Sequence, residues 1–326
     1  MSIQGKTYLV TGGTGFIGRG LVKALLAQGA KVRSLDNDSR GSKKSMGEMA
    51  SQVELITGDI RDPEVVRKAI GGADCVCHLA YINGTEYFYS KPELVLEVAV
   101  KGIMNVVDAC ISQKVNELCL ASSSEVYQTP PTIPTAEDAP LSVPDPLNPR
   151  FSYGGGKIIS ELIALNYGRK HIRRVTVFRP HNVYGPNMGW EHVIPQFVKR
   201  LRELANKQPS GTIDFPIQGN GQETRAFCYV DDAADGIVRV LDQGEHLNIY
   251  HVGTDVESTI ADIATQVARC VNREIKLIPG EILKGSTSRR CPNITKLRKI
   301  GYSPRMSLTD GLARTVKWYW ENSPVV

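Results

Sequence analysis

The run Val10-Thr11-Gly12-Gly13-Thr14-Gly15-Phe16-Ile17-Gly18 constrains the fold more than any other feature, because it follows an apolar stretch at residues 8–11 and opens an amphipathic one at residues 15–28. In that strand-to-helix setting each glycine has a task. Gly12 permits a tight turn, Gly15 lets backbone approach a pyrophosphate, and Gly18 allows close packing of the helix. The helix N-terminus then offers unpaired N–H groups and a positive dipole end to phosphate oxygens. A glycine-rich turn can also merely join a strand to a helix, so residues further along the chain have to decide.

Short apolar runs at 31–35, 75–79 and 118–121 alternate with amphipathic stretches, the pattern of repeated βαβ units and a parallel sheet. Segments 92–113 and 153–169 carry apolar residues three and four apart and are predicted as helices. Another strand is predicted at 175–179, ending at Pro180. Beyond it the texture turns to Gly185-Pro186, Gly219-Asn220-Gly221 and Pro292, which places a boundary near residue 180. The expected organisation is an α/β domain over 1–180 with a doubly wound parallel sheet, to which a strand at 247–252 (within about 240–260) returns, and a smaller lobe over 181–326. Ser307 ahead of 308–319 reads as the cap of a closing helix. The polar stretch 39–51 reads as a mobile loop.

Asp36 ends the second strand, where a carboxylate accepts hydrogen bonds from the adenosine ribose hydroxyls and repels a 2′-phosphate, so NAD is favoured over NADP. Arg33 and Arg40 lie close enough in sequence to argue the other way. Asn37 follows Asp36, and Gly58-Asp59-Ile60 ends a third strand and is expected to face the adenine; Asp59 can equally be a loop acid.

Tyr153 and Lys157 are four residues apart, which on a helix puts both side chains on one face. A nearby ammonium and the nicotinamide charge would lower the phenol pKa, letting Tyr153 take a proton from a substrate hydroxyl while hydride leaves the same carbon. A lone pair at this spacing usually marks only a helix surface. Its weight comes from Ser122-Ser123-Ser124-Glu125, directly after the strand at 118–121, where parallel sheets place their ligands. Ser123 is the candidate partner of the reacting hydroxyl.

Together these residues resemble the extended short-chain dehydrogenase/reductase family, the nucleotide-sugar epimerases, dehydratases and decarboxylases. The similarity extends to Gly58-Asp59-Ile60-Arg61-Asp62, His78-Leu79-Ala80, residues 179–186, Gly219-Asn220-Gly221 and Arg225-Ala226-Phe227. The resemblance implies a Rossmann domain with a smaller C-terminal substrate-binding lobe. It adds Phe16, Ile17, Asn37, Ile60, Leu79, Ala80 and Pro180 to the cofactor contacts, and assigns Ser124, Asn182, Arg225 and Arg290 to a nucleotide diphosphate-sugar. It also implies a homodimer formed by helices 92–113 and 153–169.

In the family Tyr and Lys usually oxidise the sugar at C4 to a ketone, and the fate of that ketone distinguishes the enzymes. Glu125 resembles the glutamate of dehydratases and decarboxylases, whereas simple C4 epimerases generally lack an acid there; it can also merely order its loop. Ser124 stands where many dTDP-glucose dehydratases carry an aspartate. The favoured reading is a 4,6-dehydratase or decarboxylase. A C4 or 3,5-epimerase, a net C4 dehydrogenase releasing NADH, and a catalytically silent NAD-sensing interaction protein remain open. Three further departures stand out: Ala99 in place of a cofactor-contacting asparagine, His181 before Asn182, and Gly154-Gly155-Gly156 inside the predicted helix. The three glycines are expected to make room for a bulky sugar or a close backbone approach.

The net charge of +5, with Lys and Arg spread along the chain, suits an anionic small molecule and argues against nucleic acid. Seven cysteines without a CxxC pair read as reduced core residues of a cytoplasmic protein, and the histidines lack metal-ligand spacing. The polar N-terminus leaves no room for a signal peptide, and no run reaches membrane-spanning length. Asn83 and Asn293 begin N-x-T triplets, which are common by chance.

Overall fold

Short runs rich in Val, Leu and Cys form one seven-stranded sheet in the computed structural model, which describes residues 2–281 and 287–322. The strands are β1 (Thr7–Thr11), β2 (Lys31–Asp36), β3 (Val53–Thr57), β4 (Cys75–His78), β5 (Glu117–Ala121), β6 (Arg174–Pro180) and β7 (Asn248–Val252). Their spatial order is β3-β2-β1-β4-β5-β6-β7, and every pairing is parallel. This is the Rossmann arrangement, and its strand order reverses between β1 and β4. The segment expected to return to the sheet does so as β7, beside β6.

Every residue of β4 and β5 is buried, as helices on both faces of a parallel sheet require. Alternate side chains divide between two cores. Tyr8, Val10, Cys75, Cys77 and Cys119 pack with α1 (Phe16–Ala27), while Leu9, Val76, Leu118 and Leu120 pack on the opposite face. That second core is completed by α2 (Pro63–Ile70) and α4 (Pro92–Ser112), with Ala164 of α5 (Ser152–His171). Between α2 and α4 lies a short α3 (Thr85–Ser90), which carries the buried Phe88. All seven cysteines are free and six are buried, so they serve as small apolar core residues.

One expectation needs correction. Residues 39–51, expected as a loop, include helical turns at Lys43–Gln52, capped by Ser42 and anchored by Met46, which is 1% exposed. After residue 180 the turn-rich stretches alternate with α6 (Val193–Lys207), α7 (Val230–Gln243) and α8 (Ile260–Arg269). In α6 the apolar face is Ile194, Phe197, Val198 and Leu201, a helical spacing interrupted in the sequence by Pro195 in the first turn. With α8 and the closing α9 (Leu308–Asn322) it forms a third core. The predicted cap is present: Ser307 Oγ accepts from Asp310 N at 3.1 Å. Among the described residues no helix is long and apolar enough to cross a membrane, and no cluster of ligating side chains could hold a metal ion.

Candidate active site

A cleft of about 770 Å³ opens along the C-terminal ends of β1 to β6, where the strand order reverses. It is lined by Gly12, Gly15, Phe16, Ile17, Gly18, Asp36, Asn37, Asp59, Ile60, Leu79, Ala80, Pro180, Ser123, Ser124, Glu125, Tyr153, Lys157, Asn182 and Arg290. Arg225 is the one proposed site residue that does not line it. Its guanidinium donates to the carbonyls of Thr224 at 2.7 Å and Thr287 at 2.6 Å, though its charge still acts on Glu125.

At the phosphate end the glycines are sterically required. A Cβ on Gly18 would lie 2.1 Å from the Gly12 carbonyl oxygen, and one on Gly12 would lie 2.8 Å from the Ala80 nitrogen. Gly15 caps α1 without any side-chain hydrogen bond, which leaves the first backbone N–H groups directed at the cleft. Asp36 accepts from the backbone N–H of Thr14 at 3.0 Å and of Asp38 at 2.9 Å, tying the end of β2 to the glycine loop. Asp59 is gripped by Arg61 and by Asn37, and the Arg61 hydrogen bonds lower its carboxyl to about 2. Thr11 Oγ1 pairs with His78 Nδ1 at 2.8 Å, joining the strands on either side of the crevice. A glycine cradle, a helix N-terminus and a carboxylate at the end of β2 fit a dinucleotide.

At the chemical end, α5 carries Tyr153 and Lys157, 8% and 3% exposed. Tyr153 stacks on Phe88 with ring centroids 4.8 Å apart and meets the edge of Tyr81 at 5.2 Å. Burial pushes its phenol up to about 12, against the opposing effects of a hydrogen bond with Ser123 and the charge of Arg40. The expected lowering by the lysine is therefore not produced by the protein alone. Burial likewise lowers the Lys157 ammonium to about 7. Ser123 Oγ accepts from Glu125 N at 3.1 Å, holding the turn after β5.

Glu125 forms an ion pair with Arg290. Burial works against its charge, but Arg290, with Arg150 and Arg225 behind it, holds the carboxyl below its ordinary range. Arg150 was not singled out from the sequence, nor were Tyr81, Phe88 and Glu191; the last lines the cleft and forms an ion pair with Arg40. Arg40 is thereby drawn away from the role of a 2′-phosphate ligand.

Gly154 and Gly156 do not leave room for a sugar, contrary to one of the two expectations for the three glycines. A Cβ on Gly154 would meet the Gln128 amide at 2.7 Å and the Glu125 carbonyl oxygen at 3.1 Å, which is the close backbone approach. One on Gly156 would meet the Tyr81 hydroxyl at 2.3 Å and Ala99 Cβ at 2.8 Å, whereas one on Gly155 would touch only Val143 at 3.5 Å. Asn182 adopts a left-handed φ of 39°, and its buried Nδ2 has no partner among the described residues. His181 is buried against the His251 ring at 4.6 Å, and burial holds its imidazole neutral.

A model of the NAD dependent epimerase/dehydratase family matches residues 8–253. The chain belongs to this family. NAD is accordingly the cofactor of this epimerase/dehydratase enzyme. A UDP-N-acetyl-alpha-D-glucosaminuronate decarboxylase from Bacillus cytotoxicus is 28% identical over 326 residues, covering 97% of this chain and 98% of its own. A dTDP-glucose 4,6-dehydratase from Streptomyces venezuelae, solved with NAD bound, superposes with a TM-score of 0.84 at 29% identity, 97% of each chain being covered. The epimerase Mth375 of Methanothermobacter thermautotrophicus gives a TM-score of 0.87 at 27% identity, over 98% of this chain and 94% of its own. A nucleotide-sugar decarboxylase, a nucleotide-sugar dehydratase and an epimerase are thus among the proteins similar to this member of the epimerase/dehydratase family.

Proposed function

We propose that this enzyme uses Tyr153, Lys157 and NAD to oxidise C4 of a nucleotide-linked uronic acid, releases carbon dioxide from the 4-keto sugar, and reduces C4 again. The observation that carries this reading is the Glu125–Arg290 ion pair, set in the same cleft as Ser123 and Tyr153. Elimination of water from C5 and C6 needs an acid for the departing hydroxyl. Ser124 offers no carboxyl, and Glu125 is kept ionised by its arginines. Loss of carbon dioxide needs no such acid, and a guanidinium fork already engaged with one carboxylate is suited to another.

In this mechanism Tyr153 takes the O4 proton as hydride leaves C4. The cofactor's contribution is to accept that hydride and give it back. The C6 carboxylate is then β to a ketone, so the C5–C6 bond breaks and its electron pair forms a C4–C5 enolate. The hydroxyls of Ser123 and Tyr153 stabilise the charge on O4. C5 takes up one proton, C4 regains hydride, and Tyr153 returns the proton to O4. Asn182 and Ser124 are proposed to bind the nucleotide diphosphate-sugar, with Arg225 adding charge from outside the cleft. A homodimer is proposed through α4 and α5, which expose Leu96, Ile159, Leu162 and Tyr167.

The test is to incubate the enzyme with UDP-glucuronate, UDP-N-acetylglucosaminuronate, dTDP-glucose and UDP-N-acetylglucosamine and monitor product mass. Loss of carbon dioxide from a uronate is expected. Loss of water from a neutral sugar with both uronates untouched would make the enzyme a dehydratase and overturn the proposal; unchanged mass with inverted C4 would make it an epimerase.

A further inference from the structure

Lys157 is a buried cation without a carboxylate of its own. Its one hydrogen bond among the described residues is to the Ala121 carbonyl oxygen, at 2.8 Å. Glu161, one turn further along α5, is committed to Arg179 through bonds of 2.8 and 2.6 Å. His78, at the end of β4, is held neutral by burial and by the lysine's charge, and Tyr153 precedes Lys157 by a turn on the same helix. The face of Tyr81 lies over the ammonium, its ring centroid 3.7 Å from Nζ.

Tyr81 reaches that position because a neighbour on α5 has no side chain. Its hydroxyl occupies the space that a Cβ on Gly156 would take, 2.3 Å away, beside Ala99. The hydroxyl also donates to the Tyr153 carbonyl oxygen at 3.4 Å, and the ring edge packs on Tyr153. The third glycine thus has an explanation: it makes room for this aromatic side chain.

We propose that Tyr81 is a positioning residue of the redox pair, its ring capping the Lys157 ammonium, and that Gly156 is small in order to admit it. The proposal rests on the reading of Tyr153 and Lys157 as that pair. An aromatic face over a desolvated cation stabilises the charged form. Removing the face should therefore make Lys157 easier to deprotonate, provided an apolar side chain still excludes water.

The experiment is an NMR titration of the full-length protein labelled with [ε-13C]lysine, the Lys157 signal being identified by its loss in Lys157→Arg. In the parent protein it should titrate near 7. Tyr81→Leu, which fills the space but lacks the π face, should lower the midpoint by about one pH unit. Tyr81→Phe should leave it in place. Gly156→Ala, which displaces the ring, should shift it in the same direction as Tyr81→Leu and serves if that variant does not fold. A midpoint unchanged or raised in Tyr81→Leu or, should that variant not fold, in Gly156→Ala would overturn the proposal. Because the titration requires no turnover, its failure is separate from failure of the redox reading, which an active Tyr153→Phe would sink.

Discussion

Tyr153→Phe is expected to slow oxidation of the sugar by roughly a thousandfold, the range in which a positioned acid–base group contributes. The substitution removes one oxygen and keeps the ring, so the stack on Phe88 and the edge contact with Tyr81 should persist. Cofactor affinity and melting temperature should therefore change little while the rate collapses. The oxygen matters because the proton on O4 must leave with the hydride, and the Ser123 hydroxyl has no base of its own to receive it. The parent rate should rise with pH, since burial raises the Tyr153 phenol to about 12 and the ionised form is scarce at neutrality. The rise should end where the Lys157 ammonium, lowered by burial to about 7, loses its proton. The rapid-mixing appearance of NADH absorbance checks both statements. Full activity in Tyr153→Phe would contradict the mechanism.

Glu161→Ala is expected to be the most destabilising single change near the site. Arg179 is 2% exposed and donates to Glu161 through Nε and Nη2, while its Nη1 reaches the Tyr127 hydroxyl and the Glu137 carbonyl oxygen. Deleting the carboxylate strands a guanidinium in the interior, which costs about 3–5 kcal/mol. The melting temperature should fall by on the order of 10 °C in a chain of this size. Replacing both partners, Glu161→Leu with Arg179→Met, should recover much of the loss, because a buried pair contributes little net stability over apolar packing. A melting temperature within a degree or two of the parent for Glu161→Ala would show that water reaches Arg179.

The frame of the site was legible in the sequence wherever a local pattern carries it. Continuous apolar runs marked strands buried on both faces, and the glycine spacing located the turn after β1. Which distant side chains meet was not legible. Glu125 and Arg290 are both legible singly, as the glutamate of dehydratases and decarboxylases and as a ligand of the nucleotide diphosphate-sugar; they are 165 residues apart in sequence and neutralise one another across the cleft. Gly156 reads as space for a sugar or for a close backbone approach, because nothing local reveals that the Tyr81 side chain fills it. The turns at Lys43–Gln52 are not legible because Met46 is their one fully buried residue, joined on the core by a partly buried Ala50, and so few apolar positions show no period. The α6 helix was obscured by Pro195, which the first turn of a helix accepts.

In the proposed cycle one hydride leaves C4 of a nucleotide-linked uronate and comes back to it. UDP-glucuronate carrying deuterium at C4, turned over by the enzyme with unlabelled NAD, reports on that hydride. The product should be lighter by carbon dioxide with deuterium retained at C4, with a transient NADH absorbance during the first turnover and no net consumption of NAD. Deuterium accumulating in free NADH, or a decarboxylated product without deuterium at C4, would contradict it.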